Sequence, residues 1–478
     1  MLTAVELVVF LDTTALNVAL PQIGRDLGLG EAQLGWVTNA YILAFGGFML
    51  VGGRAADLLG PRRVFMAGLT AFTIASAFAG VADSSEVLVA ARVLQGVGAA
   101  VMVPAQLALL SVTFTEPAAR RAAFGVWSAM GAAGAALGTA VAGPLTDGFG
   151  WPSIFFINLP VGVIALAFTP RLLPADPKRA AGASGRLDAP GAVTGTAALL
   201  VIGYAIVALA DADTRSRAWL LLGVGVALLC AFIVIEARSA HPLMPLRLFR
   251  VRELSGAAIV NMLVGAAHVP VFALLAVYLQ YVQHYSPTRS GLAVFPVAAV
   301  SITISRTLIP PALKRIGARN MLAAGLAAQA LAMAWLARIP VDVAYVPDVL
   351  PAALLLGVGL PAAFVGVTEP AVNAVDAADT GIAAGIVNTA QRIGSGLGVT
   401  AILAIAFTAS GGASSDDADS FADGVHVGFI STSALAVLGC LLTLFLLRTS
   451  RVEGQSSPEA SSSTGDQATP TIAGQDAN

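Results

Sequence analysis

The fold of this chain is decided by stretches such as residues 87–111, which read VLVAARVLQGVGAAVMVPAQLALLS. A single residue in this stretch, Arg92, carries a charge. At a rise of about 1.5 Å per residue, a helix of this length is longer than the ~30 Å hydrocarbon core of a bilayer. Residues 87–111 therefore predict a helix that crosses a membrane.

Similar apolar runs recur along the chain, and their number predicts the architecture. An even number of crossings would place both ends of the chain on the same side of the membrane. We count fourteen runs of spanning length, at residues 3–23, 34–53, 64–82, 87–111, 122–145, 151–171, 190–210, 218–236, 254–282, 290–311, 320–338, 347–368, 382–408 and 426–447.

The composition agrees with a multi-pass membrane protein. Of the 478 residues, 57% are hydrophobic and 11% are charged, against about 25% charged in soluble domains. The mean hydropathy is +0.82. These figures exclude a soluble, disordered, collagenous or coiled-coil chain, and the runs are too long and too uniform for the alternating strands of a membrane β-barrel. The net charge of −2 gives no reason to expect nucleic-acid binding.

Lysine and arginine are distributed unequally between the two sides of the predicted membrane. Eighteen of the 26 fall on the side of the chain ends, five on the other side and three within spans. Loops that remain in the cytoplasm carry the excess of basic residues. Both termini are therefore predicted to be cytoplasmic.

The two ends of the chain contain an internal repeat. Gly60 and Gly317 precede spans 3 and 11, and Gly134 and Gly138 of span 5 match Gly394 and Gly398 of span 13 at an offset of 260 residues. Parallel repeats around a midplane cavity are typical of transporters. We predict a six-helix bundle at residues 1–171, a two-helix insert with linkers at 172–253, a second six-helix bundle at 254–447 and a polar, disordered tail at 448–478.

A few ionisable side chains interrupt the predicted spans. Inserting such a group into a bilayer costs about 2.5–3.5 kcal/mol, so the retained ones are candidates for function. Asp12 lies near the middle of span 1 and is the one carboxylate that we place deep in any span, whereas Glu6 lies one to two turns nearer the cytoplasm. The deep cations are Arg92 in span 4 and Arg392 in span 13.

Asp12 and Arg92 are the candidates for proton coupling. Burial disfavours a charged carboxylate and a nearby cation favours it, so a carboxylate under both influences can bind and release a proton. The alternative is a structural ion pair that ties helices together, and the residues leave both interpretations open.

Polar side chains in the spans are candidates for a substrate cavity. Arg92, Gln95, Ala99, Met102 and Gln106 follow one another at intervals of three and four, so they share one face of span 4. That face should contact the cavity or a neighbouring helix rather than lipid. The further cavity candidates are Asn17, Asn388, Gln391 and Arg392.

Span 5 is rich in glycine, at Gly131, Gly134, Gly138 and Gly143. Small residues at these spacings allow two helix backbones to approach closely. The pattern fits an interface that moves, or a tightly packed static one.

Several stretches together resemble the major facilitator superfamily, and in particular its fourteen-helix drug:proton antiporter branch. Residues 11–21 (LDTTALNVALP) are similar to the span 1 signature of that branch, and residues 92–98 (RVLQGVG) to the span 4 motif. Residues 53–63 (GRAADLLGPRR) resemble the motif between spans 2 and 3, and residues 138–143 (GTAVAG) resemble the span 5 antiporter motif with Thr139 and Ala142 as departures. Trp151 with residues 155–160 (FFINLP), and residues 241–249 (HPLMPLRLF), also match the branch.

This resemblance implies roles for particular residues. Arg92 would tune proton coupling by Asp12, and the cavity would accept amphipathic drugs. Gly134, Gly138 and Gly143 would form the antiporter motif. A cytoplasmic gate motif would hold the outward-facing state by a charge lock, and it comprises Gly53, Asp57, Gly60, Arg62 and Arg63.

The expected function is therefore proton-coupled export of hydrophobic or amphipathic drugs across a bacterial cell membrane. The expected partners are a small organic substrate, protons and lipid, with the chain acting as a monomer and without a cofactor or metal. The main alternative is a proton-coupled importer or exporter of a metabolite on the same fold. No phosphate-binding loop of the ATP-driven type occurs, and Ser395 with His426 gives only a faint pattern for a membrane-embedded hydrolase.

Overall fold

The computed structural model describes residues 1–176, 188–209, 214–239, 242–243, 246–375, 380–411 and 418–447. All regular structure in these ranges is helical, and twelve of the helices are long and apolar enough to span a membrane. The helices are α1 (Leu2–Leu27), α2 (Glu31–Leu59), α3 (Pro61–Gly80), α4 (Ser85–Thr113), α5 (Pro117–Phe149), α6 (Ser153–Phe156 and Asn158–Leu172), α7 (Ala189–Leu209), α8 (Arg215–Arg238), α9 (Arg252–Val277, with a π-turn at Tyr278–Val282), α10 (Pro287–Thr307), α11 (Ile309–Leu336), α12 (Tyr345–Asp348 and Leu350–Asn373), α13 (Thr380–Ala409) and α14 (Ala418–Leu446).

These fourteen helices correspond in order to the fourteen predicted spans. Their lengths follow from the membrane as a solvent, because a backbone in hydrocarbon must satisfy its own hydrogen bonds and a helix does so within one segment. Within α11 a short first segment ends at Gly317 (φ 75°), where the backbone is not helical, and the longer segment that follows begins close to the predicted start near residue 320. The predicted tail at 448–478 and part of the 241–249 motif lie outside the described residues.

The helices pack as two six-helix bundles with a separate pair beside them. The N bundle comprises α1–α6 and the C bundle α9–α14, with the most extensive packing at α2–α4, α1–α5 and α3–α4 in the first and at α9–α13 and α11–α12 in the second. The bundles meet along two seams, α5–α10 and α2–α13. Helices α7 and α8 pack on each other, and α7 also packs against α2 and α13. This arrangement confirms two six-helix repeats with a two-helix insert; the exact domain boundaries remain a prediction.

Close contacts at matched glycines show the repeat in three dimensions. A methyl group added to Gly138 would lie 2.6 Å from the carbonyl oxygen of Leu11, and one added to Gly398 would lie 2.6 Å from that of Ala266. Gly60 and Gly317 both have positive φ, at 97° and 75°, a conformation that glycine adopts without a side-chain clash. The two bundles therefore use the same backbone-to-backbone packing at equivalent positions.

The two free cysteines behave differently from each other. Both sequence positions suggest buried small hydrophobic side chains, and Cys440 is indeed half-buried with its thiol near the carbonyl of Ala323. Cys230 is exposed on the outer surface of α8, so the interpretation is wrong for that residue. The outer surface of a helix pair in lipid can be as apolar as a protein core, which explains why composition alone misplaces it.

The terminal end is where α1 begins and α14 finishes, and the opposite end is where α1 finishes and α14 begins.

Candidate functional site

Asp12 lies at the centre of a hydrogen-bond network inside the N bundle. Arg92 Nη1 of α4 is 2.6 Å from Asp12 Oδ2. Asn158 Nδ2 of α6 and Gln95 Nε2 of α4 donate to Asp12 Oδ1 at 2.7 and 3.2 Å. The carboxylate therefore has a charged partner and two amide donors, which compensate for the loss of water on burial.

The network continues through the partners of Arg92 and of the two amides. Arg92 Nε donates to the carbonyl oxygen of Val37 at 3.2 Å, and its guanidinium lies over the ring of Tyr41, 4.3 Å from the centroid. Ser76 Oγ of α3 accepts from Gln95 and Asn158 at 2.7 and 3.3 Å. Five helices of one bundle thus contribute to one buried network, and the sequence-predicted pair Asp12–Arg92 is its core.

A second ion pair, absent from the predicted site, joins the two bundles. Arg392 Nη2 of α13 is 3.3 Å from Glu6 Oε1 of α1. Glu6 has no exposed surface, so α1 carries two buried carboxylates, Glu6 and Asp12. Arg392 of α13 covers Glu6 across the bundle interface.

The polar face of α4 is closed. Arg92, Gln95, Ala99, Met102 and Gln106 each have 0% exposure. Beyond the Asp12 network, Gln106 Oε1 accepts from Trp127 Nε1 at 3.1 Å, and Met102 packs against Gly68 of α3. The structure thus places this face against helices of its own bundle rather than against a cavity.

The remaining cavity candidates lie on α1 and on α13, two helices that contact the other bundle. Asn17 in α1 and Asn388 in α13 each have a buried Oδ1 without a hydrogen-bond partner. Gln391 is buried, and its backbone carbonyl faces Gly265 of α9. Unpartnered buried amide oxygens are costly and are candidates for contact with water or substrate.

The gate motif does not form an internal lock in this structure. Asp57 is 4.0 Å from Arg54, whereas Arg62 and Arg63 donate their backbone N–H groups to the two carboxylate oxygens of Asp176, at 2.9 and 3.1 Å. Asp176 follows α6 and caps the positive end of α3, where a carboxylate is favourable.

The glycines of the gate motif serve close packing. A side chain at Gly60 would collide with the carboxyl group of Asp176, and Gly53 lies against Pro104 of α4. These contacts belong to the N bundle alone, so the proposed charge lock between Asp57 and the two arginines stays a prediction for another state.

The glycines of α5 divide between two interfaces. Gly134 and Gly138 pack on the backbone of α1 at Leu7 and Leu11, inside the N bundle. Gly143 packs across the seam, where an added methyl group would lie 2.6 Å from the carbonyl oxygen of Pro287 in α10. One member of the motif thus contacts the other bundle, and two fix α1 in place.

A clasp at the opposite end also joins the bundles. Thr288 of α10 donates its backbone N–H to Asp147 Oδ2 of α5 at 3.1 Å and its hydroxyl to the same oxygen. Asp147 therefore caps the N-terminus of α10 together with Ser286, whose side chain accepts from the N–H of Arg289.

The predicted site leaves out Glu6, Ser76, Asn158, Asp147 and Asp176, although Glu6 stands in span 1 and Asn158 in a stretch that resembles the antiporter branch. Polar residues inside apolar runs were the available signal for Ser76 and Asn158. Ser395 and His426 do not suggest a catalytic pair: Ser395 lies against Gly265, whereas His426 Nε2 is 2.8 Å from the carbonyl of Ile339.

Fold and site together define a small-molecule transporter embedded in a membrane by many helices. The family model of the Major Facilitator Superfamily matches residues 2–399, and the chain belongs to this family. The chain is 35% identical to the cephamycin export protein CmcT of Amycolatopsis lactamdurans over 91% of this chain and 90% of that protein. It is 38% identical to the puromycin resistance protein pur8 of Streptomyces alboniger over 93% and 88%.

Solved structures agree at the level of the fold. The POT family transporter PepTSo superposes with a TM-score of 0.65 at 16% identity, over 93% of this chain and 96% of that one. A bacterial homologue of the human lysosomal transporter Spinster superposes with a TM-score of 0.64 at 15% identity, over 93% and 95%.

Proposed function

We propose that this chain is a proton-coupled antiporter that exports hydrophobic or amphipathic antibiotics across a bacterial plasma membrane, with both termini in the cytoplasm. The single observation that carries the coupling is the Asp12 network, a buried carboxylate paired with Arg92 at 2.6 Å. The direction of transport is supported by relatives whose names denote cephamycin export and puromycin resistance.

The coupling step is a change in charge on α1. A proton that reaches Asp12 neutralises the carboxylate and weakens its bond with Arg92, whose Nε retains the Val37 carbonyl and whose face retains the Tyr41 ring. Loss of the proton restores the pair. Because the network joins α1, α2, α3, α4 and α6, each change alters the packing of a whole bundle.

The energy available is sufficient for export. One proton moving across about 100 mV releases about 2.3 kcal/mol. At about 1.4 kcal/mol per tenfold, this supports a substrate gradient of roughly 40-fold before any pH difference contributes.

Efflux measurements test the proposal. Cells that produce the chain are loaded with a fluorescent dye or an antibiotic, and efflux is followed with and without a protonophore. We expect the protonophore to abolish efflux and Asp12→Asn to reduce it at least tenfold, while Asp26→Asn, at an exposed position on the same helix, behaves as wild type. If neither the protonophore nor Asp12→Asn changes the efflux, proton coupling is refuted. If the cells accumulate a sugar or an amino acid instead, the importer alternative is favoured.

A further inference from the structure

The N bundle contains an acidic aromatic pocket that is already occupied by a cation. Its walls are Glu6 and Phe10, one turn apart on α1, and Phe45 on α2. The guanidinium carbon of Arg392 lies 4.3 Å from the ring centroid of Phe10 and 4.7 Å from that of Phe45, and Nη2 lies 3.3 Å from Glu6 Oε1. A carboxylate with two aromatic faces is the arrangement that binds organic cations in low-dielectric surroundings.

The walls and the occupant belong to different bundles. Glu6, Phe10 and Phe45 are all on the N bundle, whereas Arg392 reaches them from α13 of the C bundle. Rigid separation of the two bundles would withdraw the guanidinium and leave the pocket intact, with its negative charge uncompensated. The pocket is therefore a property of one bundle and not of the closed interface.

The fit between pocket and occupant is incomplete. Glu6 Oε2 and Arg392 Nε are buried without hydrogen-bond partners. In contrast, both oxygens of Asp12 are hydrogen bonded. A site built to hold an arginine permanently would use the remaining carboxylate oxygen and guanidinium donor, because each unmade bond in a buried ion pair is costly.

We propose that Glu6, Phe10 and Phe45 form a binding site for a monovalent lipophilic organic cation, and that Arg392 is a tethered occupant which such a substrate displaces. This assignment rests on the proposed export function and names a substrate class for it. A lipophilic cation without hydrogen-bond donors suits the pocket, because its charge can face Glu6 while its apolar groups contact the two rings. Arg392 returns to the pocket when the substrate leaves, which prevents a buried unpaired carboxylate.

A purely structural role for the pair makes the opposite prediction. If Arg392 merely ties α13 to α1, its removal leaves cation binding unchanged or weakens it. If Arg392 competes with the substrate, its removal makes binding tighter. For a site that is free in about a tenth of molecules, the apparent affinity rises about tenfold when the competitor is removed.

Equilibrium binding of tetraphenylphosphonium to the purified full-length protein in nanodiscs tests this assignment. We expect Arg392→Gln to bind the cation about tenfold more tightly than wild type and Glu6→Gln to bind it at least tenfold more weakly. The double variant Glu6→Gln/Arg392→Gln should bind the cation as weakly as Glu6→Gln alone, because removing the arginine cannot free a carboxylate that is no longer there. Arg338→Gln, at an arginine that lies near Trp335 outside the pocket, should match wild type.

Two further measurements distinguish loss of the binding site from misfolding and test whether the site requires a cationic ligand. Phe10→Leu and Phe45→Leu keep an apolar side chain but remove the ring, and each should weaken phosphonium binding about threefold to tenfold. Neutral triphenylphosphine oxide should bind equally to all variants that elute as monodisperse protein. Unchanged or weaker phosphonium binding by a monodisperse Arg392→Gln protein would overturn the assignment.

The outcome is separable from that of the proposed function, because binding is measured without a proton gradient. If efflux is sensitive to the protonophore but phosphonium binding is unchanged in the Glu6 and Arg392 variants, the cation-site proposal fails and the proposed export function stands. If the variants bind the phosphonium as predicted but the chain shows no proton-coupled efflux, the proposed export mechanism fails and the cation site stands.

Discussion

The two buried ion pairs of α1 have the same chemistry but different surroundings. Asp12 pairs with Arg92 inside one bundle and accepts two further amide hydrogen bonds. Glu6 pairs with Arg392 across the interface, with one carboxylate oxygen unpartnered. The first pair belongs to a network that lies within one bundle, whereas the second exists only while the two bundles are in contact. One helix thus carries both the charge pair proposed for coupling and a charge whose partner depends on the distance between the bundles.

Breaking the internal pair should have the largest effect. In Arg92→Met, Asp12 stays buried inside the N bundle without its charged partner, and such a loss at a buried site costs about 3–5 kcal/mol. We expect a large fall in the thermal unfolding temperature and in the yield of monodisperse protein. The double variant Asp12→Asn/Arg92→Met should recover part of the loss, since it buries no unpaired charge. An Arg92→Met protein as stable as wild type would show that the network contributes little.

Breaking the interface pair should have a smaller effect on stability and a larger one on conformation. In Arg392→Met, separation of the bundles lets water reach Glu6, so we expect a cost of about 1–2 kcal/mol, within the usual range for single substitutions. Spin labels at Leu59 of α2 and Thr307 of α10 are both exposed at the terminal end. The distance between them, measured by double electron–electron resonance, reports the separation of the two bundles. We expect longer distances in Arg392→Met and unchanged ones in Arg338→Met, whose arginine lies outside both ion pairs; equal distances in all three proteins would contradict the distinction.

The clasp at the opposite end offers a third, weaker link to compare. Asp147→Ala removes the cap that α5 supplies to α10, which is worth about 1 kcal/mol. Labels at Asp26 and Val341, both exposed at that end, should move apart in this variant. Thr288→Val retains the backbone N–H that bonds to Asp147, so it should give an intermediate shift. Opening at the terminal end instead would mean that Asp147 does not act as a local clasp.

The smallest expected effect concerns the support of the aromatic pocket. A methyl group at Gly131 would lie 2.9 Å from the Phe10 ring, whereas nothing lies within 4 Å of one at Gly223 of α8. Gly223→Ala should raise stability by about 0.5–1 kcal/mol through the helix backbone. Gly131→Ala should lose that gain and weaken phosphonium binding about twofold, or about 0.4 kcal/mol. Equal melting temperatures and affinities for the two variants would show that Phe10 has room to move.

The number and order of the helices could be predicted from the sequence because the bilayer imposes a minimum length on apolar runs. The pairing of Asp12 with Arg92 could also be predicted, since charges within hydrocarbon require a partner. The contact between Glu6 and Arg392 could not, because it joins residues 386 positions apart and depends on how two bundles rest on each other. The polar face of α4 was ambiguous for a related reason: a polar stripe shows that a helix avoids lipid there, but not whether it faces a cavity or a neighbour.

The α7–α8 pair makes the two seams unequal for anything dissolved in the surrounding lipid. Thr196 of α7 donates to the carbonyl of Gly47 in α2, and α7 also packs on α13, so the α2–α13 seam is screened along its outer side. In the described residues, neither helix of that pair packs across the α5–α10 seam. A compound that diffuses laterally from the membrane therefore meets one seam that α7 covers and one seam that the α7–α8 pair leaves uncovered. Gly143 and the Asp147 clasp lie on the α5–α10 seam, which that pair leaves uncovered in the described part of the chain.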